Sequence, residues 1–251
     1  VKDRCNFTTH TPVAAGHDKF SYDMVEEKLR GEKNIIPYHI KKLAGEDLLN
    51  MTRLALSFSD YHNAVSRKHA EVTREMFPDF TIDYVTNGIH SSFWVSEHIA
   101  HVYDTHIPGW REDFSKLSEI FKIDSEIIWQ AHKQSKKEMI DFVNEYNIVG
   151  SKFKEDVLTI GFARRFVAYK DAELIFQNID ALKKLGKKVQ FVFAGKSHKN
   201  DGLGKEILRR IIEKATELKE FISIAFIENY NIPVARKLVA GCDIWLNTPI
   251  P

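Results

Sequence analysis

The second half of this sequence, from about residue 155 onward, predicts an α/β fold built on a doubly wound parallel sheet, on three observations. Short apolar runs recur at VLTIGFA (157–163), VQFVFAG (189–195), FISIAFI (221–227) and Asp243 to Leu246. The segments between them place apolar residues at helical spacing. Strand and helix therefore alternate, which argues for crossover units with parallel strands and helices on both faces of the sheet.

Taken in order, residues 1 to about 150 are less regular and read mostly as helix, with extended pieces at CNFTTH, SFSDYHNAVS and IDYVTNGIH. Asp124 is placed as the N-cap of a long amphipathic helix reaching Tyr146, with Ile128, Ala131, Met139, Phe142, Val143 and Tyr146 on one face. That helix is expected to bridge two domains, 1–150 and 151–251. No linker, low-complexity tract or repeat marks the boundary, so it rests on the change of pattern near Gly150. After the strand at 157–163, the stretch Asp171 to Leu185 carries Leu174, Ile175, Ile179, Leu182 and Leu185 at helical spacing, with Gly186 as its stop. A helix over about 203–218 presents Ile207, Leu208, Ile211, Ile212, Ala215 and Leu218, and a short helix at 232–240 precedes the last strand.

At 251 residues and 43% hydrophobic content the chain can fill proper cores. Lysine plus arginine (36) nearly balance aspartate plus glutamate (35), so no global field favours nucleic acid or a membrane surface. Cys5 and Cys242 lie at opposite ends of the chain without metal-ligand spacing, which points to a disulfide-free, cytoplasmic protein. No apolar run approaches the roughly 20 residues that span a bilayer, and the start VKDRCNFTTH has no signal-like apolar region.

The chemistry concentrates at GFARRFVAYKD, where Arg164, Arg165 and Lys170 stand between a strand end and the following helix. Ligands of open α/β sheets collect at that edge, and bidentate arginines with a point-charge lysine suit phosphate. A lone basic pair is usually solvated surface charge, but three cations within seven residues favour a phosphate site. Lys196 and Gly195 in AGKSHKNDG read as an ordinary turn. His10 and His17 flank a Pro/Gly loop without a third ligand at metal spacing, so a hydrogen-bonding histidine is the better reading than a metal ligand. Asn87-Gly88 is a turn signal beside His90 and Trp94, residues a sugar or ring-stacking site could use.

Together, FTTHTPVAAGHDKF, NAVSRKHAEVTREMF, VTNGIHSSFW, IGFARRFVAYKDAELIF, FAGKSHKND and ENYNIPVARKLVAGCDIWLNTPIP resemble the α-glucan (glycogen, starch or maltodextrin) phosphorylases in order and spacing. The resemblance implies a GT-B arrangement of two Rossmann-like lobes facing across a cleft. Residues 1–150 would end the N-terminal lobe with its linking helices, and 151–251 would form the first half of the C-terminal lobe. It implies reversible transfer of a terminal α-1,4-linked glucose to inorganic phosphate, giving glucose 1-phosphate. It also implies pyridoxal 5'-phosphate as cofactor, acting through its phosphate group.

By the same resemblance, Arg165 and Lys170 would hold the substrate phosphate, Arg164 would lie near the cofactor phosphate, and Tyr169 near a sugar hydroxyl. His10 and Asn87 would contact the glucose, and Trp94 and Tyr230 the cofactor. Partners would be α-1,4-glucan and phosphate, with a homodimer as in much of the family. The chain departs from the family pattern at Asp171, where an arginine is usual, and at Lys199, where a proline is common. The sugar-binding turn and the cofactor-bearing lysine would follow Pro251, so the isolated chain is expected to be inactive and to expose a strand edge at Asp243 to Leu246. A nucleotide-sugar glucan synthase of the same fold and a non-catalytic glucan- or anion-binding module stand as alternatives; a generic helical interaction protein would leave the charged strand end unexplained.

Overall fold

The structure is a computed structural model that describes residues 2–30 and 37–248. The end of the LNTPIP motif, residues 249–251, lies outside the described residues. The chain forms two compact units, Val1–Ile89 and His90–Pro251.

The first unit contains β1 (Asn6–Thr9), β2 (Lys19–Ser21), β3 (Leu48–Asn50), β4 (Tyr61–Ala64) and β5 (Asp83–Tyr84), with helices α1 (Tyr22–Lys28), α2 (Pro37–Ala44), α3 (Met51–Ser57) and α4 (Arg67–Met76). Strands β1, β4 and β5 form a parallel sheet in the order β1-β4-β5, so the three extended pieces expected from the sequence share one sheet. β2 and β3 pair antiparallel beside it. Leu56, Ala64, Ala70, Phe77 and Ile82 make the core under the parallel sheet. Asn50 and Ser66 cap α3 and α4 by accepting from backbone N–H groups of the first turn, as short polar residues do.

The second unit runs α5 (Ser91–Trp94), α6 (Glu97–His106), α7 (Ser125–Tyr146), β6 (Leu158–Ala163), α8 (Ile179–Leu185), β7 (Val189–Ala194), α9 (Gly202–Leu218), β8 (Ser223–Ile227), α10 (Ile232–Gly241) and β9 (Ile244–Trp245). The four strands are parallel in the order β8-β7-β6-β9, and helices cover both faces. Side-chain alternation sorts the two faces. Phe162, Phe191, Phe193, Ile224 and Phe226 meet Leu182 of α8 and Ile207 and Ile211 of α9. Ala163, Val192, Ala194 and Ala225 meet Met139 and Val143 of α7 and Val234 and Leu238 of α10. Small residues on that second face let α7 and α10 lie close to the sheet, while each phenylalanine on the first contributes about 2 kcal/mol by burial. Among the described residues no helix is long and apolar enough to cross a membrane.

Three expectations change. The stretch from Asp171 to Leu185 is not one helix: 3-10 turns at Ala168–Lys170 and Leu174–Phe176 precede α8, which begins only at Ile179. Asp171 takes a left-handed conformation with φ 37°, which no right-handed helix can include, and Asn178 restarts the helix by accepting from the Ala181 N–H. On α7, Asp124 is the N-cap as expected, but Tyr146 is exposed and Ile140 is buried in its place. The helix lies wholly inside the second unit, because its Met139, Ile140 and Val143 face pack on the sheet; the compact units meet at Ile89/His90 and the sequence pattern changes near Gly150.

Candidate functional site

In the second unit the carboxyl ends of β6, β7 and β8 share one edge of the sheet, since the three are parallel. Arg164 follows β6 directly, and its N–H donates to the Ala194 carbonyl at 3.2 Å, while the Phe166 N–H donates to the Lys196 carbonyl at 3.1 Å. These bonds extend the β6–β7 pairing beyond the strands, so Arg164 and Arg165 leave a fixed backbone. Phe166 is fully buried and anchors the loop. Gly195, with φ 149°, stands so close that a Cβ there would lie 1.9 Å from the Arg164 carbonyl oxygen; only glycine fits. The turn judged ordinary in the sequence is thus part of the site's frame.

Lys170 ends the turn Ala168–Lys170. Thr248 Oγ1 lies 3.0 and 2.8 Å from the Lys170 and Asp171 carbonyl oxygens and donates to this pair. Two residues on, Glu173 receives both arms of the Arg210 guanidinium from α9 at 2.7 Å each, tying the segment to the helix. Sequence reasoning missed Thr248 and Arg210. Nothing local marks either one, because each acts on a loop far away in the chain.

Burial, then the neighbouring charges of Arg164 and Arg165, hold the Lys170 ammonium below its usual range. No ion pair among the described residues involves Arg164, Arg165 or Lys170, and the Asp171 carboxylate beside Lys170 leaves it unpaired. Three cations thus oppose one another without a counter-charge, an arrangement whose repulsion a bound anion would relieve. Tyr169 is half-exposed beside them, with Lys170 Nζ 5.8 Å from its ring centre.

Tyr230 follows β8 at the same edge, reached through Asn229 in a left-handed turn, and burial pushes its phenol up. It packs against the Ala163, Ala194 and Val234 side of the core. Trp94 ends α5 and, with Ser96, Glu138, Ile232 and Arg236, lines a cavity of about 340 Å³ at the start of α10. Arg236 lies over the Phe93 ring at 5.0 Å in its wall. By chemistry, the cations at the strand edge match the phosphate of a phosphate-bearing group, and the Trp94 indole and Tyr230 phenol are of the kind that packs on an aromatic body.

In the first unit, His10 follows β1 and Asn87 follows β5, both at the carboxyl edge of that unit's parallel sheet and both exposed. The Asn87 N–H donates to the Val65 carbonyl at 3.3 Å. The loop after His10 rests on two buried histidines. His17 Nδ1 bonds Thr52 Oγ1 at 2.8 Å, and its ring meets Phe77 edge-on; His69 Nδ1 accepts from the Val65 N–H at 3.4 Å. His17 is thus a hydrogen-bonding loop histidine, as expected, and His69 is a partner the sequence did not disclose. Burial holds both imidazoles below their usual value; the Thr11 carbonyl near each ring acts in the opposite sense, although neither Nε2 has a partner within hydrogen-bond distance.

Two parallel-sheet units, one with an unneutralised cation cluster at its carboxyl edge, define an α/β protein, and the chain belongs to the carbohydrate phosphorylase family, whose family model matches residues 3–247. It is 37% identical over 279 residues to the maltodextrin phosphorylase of Thermococcus litoralis, covering 99% of this chain and 34% of that protein. It is 32% identical over 285 residues to the glycogen phosphorylase of Aquifex aeolicus, covering 98% of this chain and 41% of the relative. The glycogen phosphorylase of Mycobacterium tuberculosis is 29% identical over 302 residues, covering 100% of this chain and 34% of that protein. The chain spans 34 to 41% of the length of these curated relatives.

Proposed function

We propose that the chain forms part of an α-1,4-glucan phosphorylase and carries its phosphate-binding edge together with residues for the terminal glucose. The observation that supports this best is the uncompensated cluster of Arg164, Arg165 and Lys170 on a backbone fixed by Gly195, in a member of the carbohydrate phosphorylase family. On this reading Arg165 and Lys170 hold inorganic phosphate and offset negative charge as the glycosidic bond breaks. His10 and Asn87 hydrogen-bond the glucose, and Tyr169 a further sugar hydroxyl. Residues 1–150 then belong to the N-terminal lobe of a GT-B protein and 151–251 to its C-terminal lobe. Relatives named for glycogen and maltodextrin support an α-glucan as substrate. A homodimer and a cytoplasmic setting complete the reading.

Arg164, Trp94 and Tyr230 are the residues that would hold pyridoxal 5'-phosphate. When bound, that group supplies a phosphate next to the substrate phosphate. The chain's own contribution is to keep two anions side by side, since three cations lower their mutual repulsion. Lys170, held low by burial and its arginine neighbours, gains proton affinity from a bound anion, so phosphate binding and its protonation reinforce each other.

The test is made in the enzyme that carries this chain. Arg165→Ala and Lys170→Ala should each lower kcat/KM for phosphate by about 10²- to 10³-fold, the cost of removing one charge-stabilising donor, with glucan affinity nearly unchanged. Lys199→Ala, at the exposed turn after β7, should behave like wild type. Transfer of glucose from a nucleotide sugar, with no glucose 1-phosphate formed from maltodextrin and phosphate, would overturn the reading in favour of a synthase. Glucan binding without either reaction would overturn it in favour of a binding module.

A further inference from the structure

The opposite edge of the second unit's sheet, where β6, β7 and β8 begin, carries a second concentration of positive charge. A cavity of about 230 Å³ opens there, lined by Lys152, Lys154, Lys187 and Lys219 with Ser151 and Gln190. No carboxylate lines it, and none of the four lysines forms an ion pair among the described residues. The side chains come from three separate segments, so the sequence shows no cluster.

The frame is rigid. Gln190, almost fully buried, accepts from the Lys154 N–H at 3.0 Å and donates through Nε2 to the Lys154 carbonyl and Thr159 Oγ1 at 2.8 Å each. Ser223 Oγ donates to the Lys152 carbonyl, and Asn147 Nδ2 to the Ser151 carbonyl. The strand starts thus pin the segment that bears Lys152 and Lys154. Lys187 Nζ donates to the Lys219 carbonyl at 2.7 Å, which fixes its ammonium at the cavity rim and leaves it two further N–H donors. Ser151, 7% exposed and in the same wall, has a buried hydroxyl with no hydrogen-bond partner. An unpaired buried hydroxyl is costly, and it is unusual next to a polar cavity unless something there completes it.

We propose that this cavity binds an oxyanion of the phosphate class, as free phosphate or as the phosphate of a phosphomonoester, at a site separate from Arg164, Arg165 and Lys170. The anion would draw Lys152, Lys154 and Lys187 inward and offer the Ser151 hydroxyl an acceptor after a small rotation. The inference does not depend on the proposed catalytic role, since the site lies at the other end of the strands.

Calorimetry on the Arg165→Ala/Lys170→Ala protein removes the first anion site from view. Inorganic phosphate and β-glycerophosphate are titrated separately. Saturable binding of one equivalent of either is expected, weakened at least tenfold by Lys152→Gln/Lys154→Gln/Lys187→Gln and more modestly by Ser151→Ala. Tighter binding of β-glycerophosphate would identify a phosphomonoester as the ligand, and tighter binding of phosphate the free anion. Lys205→Gln and Lys214→Gln on α9 serve as charge controls and should leave affinity within twofold. All the substituted lysines are charged surface residues, so unchanged melting temperatures confirm folding. No saturable heat with either probe, or equal affinity in the triple lysine variant, overturns the proposal.

Discussion

At the scale of single residues, the cations of the first site were legible because charge at the end of an apolar run is a local signal. Arg164, Arg165 and Lys170 could be picked out from an eleven-residue stretch. What fixes them could not. Thr248 reaches the Lys170 carbonyl from 78 residues away, and Arg210 reaches Glu173 from 37 residues away. Gly195 looked like a common turn glycine until the fold put it against the Arg164 carbonyl. Gly195→Ala should therefore destabilise the second unit by about 2–4 kcal/mol, combining a strained φ with a backbone clash, and should weaken phosphate binding with it. Denaturant unfolding followed by phosphate titration checks both. A variant with wild-type stability would show that the β6–β7 loops separate at no cost.

At the scale of elements, short apolar runs and helical spacing named every strand of the second unit and most of its helices. The failure between Asp171 and Asn178 has a clear physical origin. The apolar spacing Leu174, Ile175, Ile179, Leu182 is compatible with one helix, but Asp171 adopts a left-handed turn that the Thr248 contact accompanies, and the chain forms 3-10 turns before α8. The docking of α7 was equally hidden, because it depends on a charge cluster in an apolar face. Asp243, just before β9, accepts from Lys136 Nζ at 2.6 Å, His132 Nε2 at 2.8 Å and the Thr159 N–H at 2.7 Å. Burial raises its carboxyl, yet these partners outweigh burial and hold it below the ordinary carboxylate value. Lys136→Met should cost about 3–5 kcal/mol, since it leaves a buried carboxylate short of its strongest partner. Adding Asp243→Asn, whose Oδ1 still accepts from Thr159, should recover part of that loss. Equal stability of the single variant and wild type in guanidinium would show that α7 docks by apolar contact alone.

At the scale of the whole molecule, two units with separate cores respond differently to acid. His17 and His69 in the first unit are held neutral by burial, so their folded pKa values lie below 6.5 and the unfolded chain binds protons first as pH falls. The stability they confer is present above about pH 6.5 and is lost as the pH drops through that value toward the folded pKa. Asp243 in the second unit has a dependence of the same sign in a lower range: its contribution is present above its ordinary value near 3.8 and is lost only as pH falls further. Thermal scans between pH 7.5 and 5.5 should show the first unit's transition moving down, with a shallower slope in His69→Gln. An unchanged slope would mean that the His69 ring is not what titrates. The sequence by itself determined the alternation of strand and helix, the apolar faces and the strand-end cations, because each is written within a few turns of chain. Only the tertiary structure decided the strand order β8-β7-β6-β9, the break before α8, the histidine support under the His10 loop and the lysine cavity at the far edge. Those depend on which distant residues meet. Such meetings are settled by packing and charge compensation across the fold, which no local window of sequence contains.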